Sequence, residues 1–178
     1  MSEFPKTPDA GASAGSPPGD APPPDAPRGR GREPGAHPAV GWREWVALPE
    51  LGIDRIKAKI DTGARSSALH AHEVRFVRKG KRRLVRFRVY PNQKDDRTFV
   101  EAQGEWLEER KVRSSSGSQS IRPVIRTMLE MGGRRWPIEL TLTRRDAMGF
   151  RLLLGRQALK GRCLVDPGAS FLTEGKDR

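Results

Sequence analysis

One acidic residue in this sequence is preceded by a strand pattern and followed by a tight turn. Residues 56–60 alternate apolar residues with lysines, which is the period of a half-buried β-strand. The pattern ends at Asp61-Thr62-Gly63, where glycine permits a close bend and the threonine hydroxyl can hydrogen-bond inward. A carboxylate held on such a turn suits acid/base chemistry. We therefore predict a catalytic role for Asp61, with Thr62 and Gly63 shaping its loop.

The remaining patterns predict many short strands and very little helix. Residues 44–48 form a strand pattern that Pro49 stops, and residues 152–154 form an apolar run typical of a strand buried on both faces. Alternation predicts two β-hairpins, which pair 74–78 with 83–90 and 121–131 with 136–143. After the buried run, we predict one helical turn over 157–160. Four stretches stay ambiguous: 65–72 (loop or short strand), 98–102 (short strand), 106–112 (strand or helical turn) and 113–120 (flexible loop). This set of elements favours an all-β barrel or sandwich.

Composition separates a tail from a domain. Residues 1–40 hold ten of the fifteen prolines and six glycines, so this segment buries too little apolar surface to offset its ordering entropy. We predict a disordered tail over 1–40, a domain over 41–173 and a flexible C-terminus over 174–178. The sequence has no signal-peptide pattern, no apolar run of membrane-spanning length and a single cysteine, Cys163. These features predict a soluble cytoplasmic protein without membrane association.

The positive charge is concentrated in the predicted domain. Residues 1–40 carry four Lys/Arg and five Asp/Glu, which leaves 30 basic and 17 acidic residues, a balance of +13, in 41–178. Such a field attracts anionic partners. Nucleic acid, the ribosome surface and acidic peptides all fit this charge, and so does a solvated arginine-rich surface without any partner.

Two distant motifs together resemble a known fold. Ile60-Asp61-Thr62-Gly63-Ala64 and the later Leu153-Leu154-Gly155-Arg156 resemble the retropepsin fold of aspartic peptidases. Further blocks at 122–125, 138–142 and 165–167 extend the likeness to residues 42–172. In this extended form the sequence is similar to the bacterial retropepsin-like peptidases widely labelled "ATP-dependent zinc protease".

This resemblance implies an all-β, retropepsin-like acid-protease barrel with one Asp-Thr-Gly per chain. Aspartic peptidases need two carboxylates that share one proton, so the resemblance implies a homodimer in which two Asp61 residues meet. The sequence has neither a P-loop motif nor His-Glu-x-x-His, and we predict no cofactor and no metal. One alternative stays open. His70 and His72 lie two residues apart, which on a strand places them on one face, and together with a distant carboxylate they would form a zinc site.

The resemblance also implies a substrate, because one branch of the family trims poly-glutamate tails from a small-subunit ribosomal protein. Arginine pairs well with carboxylates, and we predict substrate contacts at five residues: Arg65, His70, Arg122, Arg126 and Arg156. The alternative is a non-catalytic basic β-domain that binds RNA or the ribosome through the hairpin at 75–88. Phe76, Phe87 and Tyr90 are the aromatic residues near that hairpin.

Overall fold

The computed structural model describes residues 37–93, 95, 97–113, 117, 119–144 and 149–174. The predicted disorder of 1–40 falls almost entirely outside these residues, as does the predicted flexibility of the last four residues. Eleven strands are described in chain order: β1 Ala39–Gly41, β2 Arg43–Leu48, β3 Ile53–Asp61, β4 Ser67–His70, β5 His72–Lys79, β6 Arg82–Val89, β7 Val100–Arg113, β8 Gln119–Met131, β9 Arg134–Thr143, β10 Leu152–Gly155 and β11 Leu164–Asp166. A 3-10 turn covers Pro49–Leu51, and one short helix, α1, covers Arg156–Leu159.

Nine of these strands form one sheet in the order β2-β3-β10-β4-β9-β8-β7-β6-β5. A further pairing between Ala47 of β2 and Glu130 of β8 closes the first six strands into a barrel. Strands β7, β6 and β5 continue beyond the barrel as an antiparallel extension. The all-β fold predicted from the sequence is therefore confirmed.

The barrel interior explains the alternation seen in the sequence. On β3, Ile56, Ala58 and Ile60 are buried at 0%, 0% and 5% exposure, while the residues between them face outward. All four residues of β10 are buried, because this strand lies between β3 and β4. Both faces and both edges of β10 are thus covered, which is why its sequence is continuously apolar.

Both predicted hairpins are present, and the ambiguous stretches are mostly strand. Residues 67–70 form β4, and residues 98–112 fall mainly within one long strand, β7. The predicted loop at 113–120 is only partly described, and its Gln119 and Ser120 already belong to β8. The predicted helical turn is α1. In the described ranges, no helix is long and apolar enough to span a membrane.

A buried carboxylate joins the two ends of the domain. Glu44 is fully buried, and its oxygens accept hydrogen bonds from the backbone N–H groups of Gly41, Leu172 and Thr173 at 2.6, 2.9 and 3.2 Å. The Thr173 hydroxyl donates another, at 2.8 Å. Nearby, β1 pairs in parallel with β11. Ala39 and Val40, which the sequence analysis placed in the tail, therefore belong to β1, because this strand has β11 as a partner.

Candidate active site

Asp61 is the last residue of β3, and its loop is closed by a tight turn. The Ala64 N–H lies 3.2 Å from both the backbone carbonyl and the side-chain Oδ1 of Asp61. The carboxylate is partly exposed, and Thr62 and Gly63 are exposed beside it. A Cβ at Gly63 would lie 3.4 Å from Asp61 Oδ1, so the absence of a side chain there keeps the carboxylate open on that side. The loop presents an accessible acid on a fixed backbone.

Strand β10 lies directly beside this loop. Leu154 pairs with Ile60 and Gly155 with Asp61 in a parallel ladder. A Cβ at Gly155 would lie 2.6 Å from the backbone C and O of Ser66, much closer than ordinary contact. Only glycine allows the chain after Asp61 to cross so near to β10. The two motifs that suggested the fold, 94 residues apart, are thus one structural unit.

Arg156 holds the Asp-Thr-Gly loop from outside. Its Nη1 donates hydrogen bonds to the carbonyl oxygens of Thr62 and Gly63, at 2.8 and 2.9 Å. Its backbone N–H also donates to the Ala64 carbonyl at 2.9 Å, and that of Gln157 donates to Arg65 at 3.1 Å. The guanidinium that was predicted to bind substrate therefore uses part of its donor capacity to hold the Asp61 loop.

Ser67 supports the loop from its inner side, and sequence reasoning did not single it out. Its buried Oγ accepts the Gly155 N–H at 3.1 Å, and its carbonyl accepts the Thr141 hydroxyl at 2.9 Å. The serine therefore ties β4 to β10 and β9 at the level of Asp61. A signal was available: Ser67 and Leu69 have the same parity on β4, and both are buried.

The other predicted contacts differ in their access to the loop. Arg65 follows the loop and is exposed. His70 is only 3% exposed, and its Nε2 lies 2.7 Å from the Nε2 of His72. This burial leaves His70 little surface for a direct substrate contact, and we assign it to the packing between β4 and β5.

The two arginines of β8 lie further along the sheet. Strand β8 lies four strands from β3 by way of β10, β4 and β9, and two strands from it by way of β2, which pairs with β8 at Ala47. Arg126 is exposed, and it pairs with Glu105 of β7 and Glu139 of β9. Arg122 is 9% exposed and donates to Ser120 at 2.8 Å. The structure thus brings Arg65 and Arg156 to the loop, while Arg122 and Arg126 lie on β8, which pairs with neither β3 nor β10.

The zinc alternative finds no ligand set in the part of the chain that the structure describes. His70 and His72 are adjacent, but no group of three or more His, Cys, Asp or Glu side chains suitable for a metal occurs among the described residues. Asp54 lies seven residues before Asp61 on the same extended strand, β3, so the carboxylates of these two residues in one chain are too far apart to share a proton. Asp166 accepts the N–H of Gly168 in its own turn.

Comparison with known proteins identifies the family. The model of the RimB-like family, described as "Retropepsin-like aspartic endopeptidase RimB", matches residues 39–176. This chain belongs to the RimB-like family. The family description corrects the label "ATP-dependent zinc protease" used for the resemblance. It agrees with the retropepsin-like fold built around the Asp61 loop.

Curated relatives of this RimB-like chain carry a different name, "Probable alpha-L-glutamate ligase". They include proteins from Parasynechococcus marenigrum (48% identical over 131 residues), Shewanella pealeana (40% over 132) and Desulfotalea psychrophila (44% over 128). The alignments cover 72–74% of this chain and 28–29% of each relative. The RimB-like chain therefore spans less than a third of the length of these relatives.

A solved structure has the same fold. The crystal structure of a protein of unknown function from Legionella pneumophila superposes with a TM-score of 0.66 at 28% sequence identity. The match covers 76% of this RimB-like chain and 98% of the other.

Proposed function

We propose that this RimB-like protein is an aspartic peptidase that hydrolyses peptide bonds in acidic peptides, with Asp61 as its catalytic acid/base. The observation that carries the proposal is the Asp61 loop itself. An accessible carboxylate ends a buried strand, beside Gly155 and under the side chain of Arg156. The family description as an aspartic endopeptidase supports the same chemistry.

The proposed mechanism uses two copies of the chain. Each supplies one Asp61, and the two carboxylates share one proton. The ionised carboxylate takes a proton from a water molecule, whose oxygen attacks the scissile carbonyl carbon. The protonated carboxyl donates its proton to the carbonyl oxygen. When the tetrahedral intermediate collapses, the C–N bond breaks and the leaving nitrogen takes a proton from the dyad.

A glutamate-rich peptide is the substrate class that the charges favour. Arg65 is exposed next to the loop and, among the described residues, has no ion pair. Arg126, exposed on β8, offers a second cation. The name of the longer relatives, a glutamate ligase, also links this type of domain to glutamate chemistry. We therefore propose peptides ending in several glutamates as substrates.

The direct test is Asp61→Asn with synthetic peptides that end in four glutamates, and a matched peptide ending in four glutamines. The wild-type protein is expected to cleave the glutamate peptide, as detected by mass spectrometry. The variant is expected to lose cleavage but keep its circular dichroism spectrum and melting temperature, since asparagine has the size of aspartate. Cleavage by the variant at the wild-type rate would refute the role of Asp61.

A mixing experiment tests the shared site. Wild-type and Asp61→Asn chains are unfolded, mixed and refolded together at constant total concentration. If two Asp61 residues form the site, activity falls with the square of the wild-type fraction, because mixed dimers are inactive. A linear fall would show that each chain works alone and would exclude the dimeric dyad.

A further inference from the structure

The outermost hairpin of the sheet ends in a concentrated group of cations. We call this group the basic tip; it consists of Arg78, Lys79, Lys81, Arg82 and Arg83, and all five are exposed. None of them forms an ion pair with a carboxylate in the described part of the chain, whereas Arg75 and Arg88, further down the same hairpin, both pair with Glu73. The basic tip is therefore available to an anionic partner.

The hairpin geometry holds these charges close together. Lys79 pairs with Arg82, and Arg78 pairs with Arg83, across a two-residue turn in which Gly80 has φ +61°. Glycine at the first position of such a turn gives the hairpin its ordinary right-handed twist. Like charges directly opposite each other destabilise a strand pair. The repulsion between these cations destabilises the free protein, and an anion bound between them offsets that repulsion.

An aromatic surface lies beside the basic tip. Phe76 is 56% exposed, and its ring stands edge-on to Trp106 with centroids 5.7 Å apart. The Arg83 guanidinium lies 4.3 Å from the Trp106 ring centroid. These three side chains line an open groove together with Val77, Arg78, Leu84 and Glu109. The groove thus combines an exposed aromatic ring with two arginines and one carboxylate, and the cations outnumber the carboxylate.

We propose that the basic tip and Phe76 bind single-stranded nucleic acid, with phosphates on the cations and a base stacked on the Phe76 ring. Cationic grooves with exposed aromatic rings are the usual device for binding single strands without sequence preference. A glutamate peptide offers charge but no flat face, so the exposed ring favours a nucleotide. Strand β5 is the outer edge of the extension beyond the barrel, whereas β3 is a barrel strand. This proposal does not depend on the peptidase proposal, because it concerns a different surface of the protein.

The experiment uses fluorescence anisotropy of the full chain with fluorescein-labelled 12-nucleotide oligo(U) RNA and oligo(dT) DNA, at several salt concentrations. Single-strand affinity depends on salt with a slope of about −0.7 for each phosphate contact. Replacing Lys79, Lys81 and Arg82 together by alanine should therefore reduce the slope by about 2, and weaken binding roughly a hundredfold at 0.1 M salt. Phe76→Ala should weaken binding about five- to 150-fold without changing the slope, because it removes stacking rather than charge.

The matched control removes three exposed cations elsewhere: Arg97→Ala, Arg134→Ala and Lys160→Ala together. All variants are first checked for an unchanged melting temperature. A loss in the control equal to that of the tip variant would mean that net charge alone drives binding, and would overturn the proposal. So would undetectable binding of both oligonucleotides. Tighter tip-dependent binding to a 12-residue glutamate peptide, or to anionic vesicles, would assign the tip to an acidic protein or a membrane instead. Tighter binding of oligo(U) than of oligo(dT) would identify RNA as the ligand, and the reverse would identify single-stranded DNA.

Discussion

Arg156 is the residue at which the sequence and the structure suggest different roles, and its replacement separates them. The sequence predicts a substrate contact, while the structure shows Nη1 donating to the carbonyls of Thr62 and Gly63. A single hydrogen bond contributes about 0.5–1.5 kcal/mol net. Because Arg156 is exposed, water replaces part of this in the variant. We therefore take about 1–1.5 kcal/mol for both bonds together, which is about five- to tenfold in an equilibrium constant.

The expected consequence of Arg156→Ala is a looser Asp61 loop. Hydrogen exchange at the Ala64 amide, which is bonded to Asp61, should accelerate about five- to tenfold. In the peptidase assay the same change should lower kcat by a similar factor and leave KM nearly unchanged, because the loop positions the reacting carboxylate rather than the substrate.

The matched control is Arg65→Ala, an exposed arginine next to the same loop with no side-chain contact to it in the described residues. This variant should raise KM and leave the Ala64 exchange rate unchanged. The reasoning is refuted if Arg156→Ala raises KM with kcat and exchange unaltered. That outcome would indicate that Arg156 binds substrate and that its hydrogen bonds to the two backbone carbonyls do not hold the loop.

Three further predictions test the framework around the loop. Gly155→Ala places a Cβ 2.6 Å from Ser66 backbone atoms; it should destabilise the fold by about 1–3 kcal/mol or more in urea unfolding, whereas Gly149→Ala, with open space around it, should be nearly neutral. Glu44→Gln should cost about 1–3 kcal/mol by the same measurement, because an amide nitrogen cannot accept the N–H bonds that a carboxylate oxygen accepts; unchanged stability would contradict the carboxylate's role. Hydrogen bonds from the Thr98 side chain and from the Arg97 and Thr98 N–H groups lower the pKa of Asp95 from 3.8 to about 2, so its stabilising effect should be complete above pH 3.8 and disappear as the pH falls through 2. Melting temperatures measured from pH 5 to pH 2 should show this loss in the wild type and not in Asp95→Asn.

The sequence predicted the strands that have one apolar and one polar face. It missed the full length of strands that have no apolar face. Strands β6, β8 and β9 follow from alternation, because each has one face with buried residues, whereas β5 has no buried residue and is held by its pairing with β6. Strand β7 was split into fragments, because residues 107–111 are partly or fully exposed and show no apolar face. What makes them a strand is pairing with β8, a long-range partner that periodicity does not report.

The sequence identified the residue that carries the acid more readily than the atoms that each side chain contacts. Asp61 followed from its strand and turn. The burial of Glu44 was not predicted, although it has the same parity as the buried Val46 and Leu48. The contacts of Arg156 were not predictable either, because their acceptors are backbone carbonyls, which every residue carries. Such contacts depend on the three-dimensional path of the loop.

The parallel pairing of β3 with β10 also sets the order of events during synthesis. A chain made only as far as β9 already contains Asp61, Thr62 and Gly63, yet it has neither the strand that lies beside Asp61 nor the arginine that holds the loop. Pairings between segments so distant in sequence form late, because their loop-closure entropy is large. A nascent chain therefore lacks the complete Asp61 loop until residues 152–156 have been made, and under the proposed function we expect it to have no peptidase activity before that point.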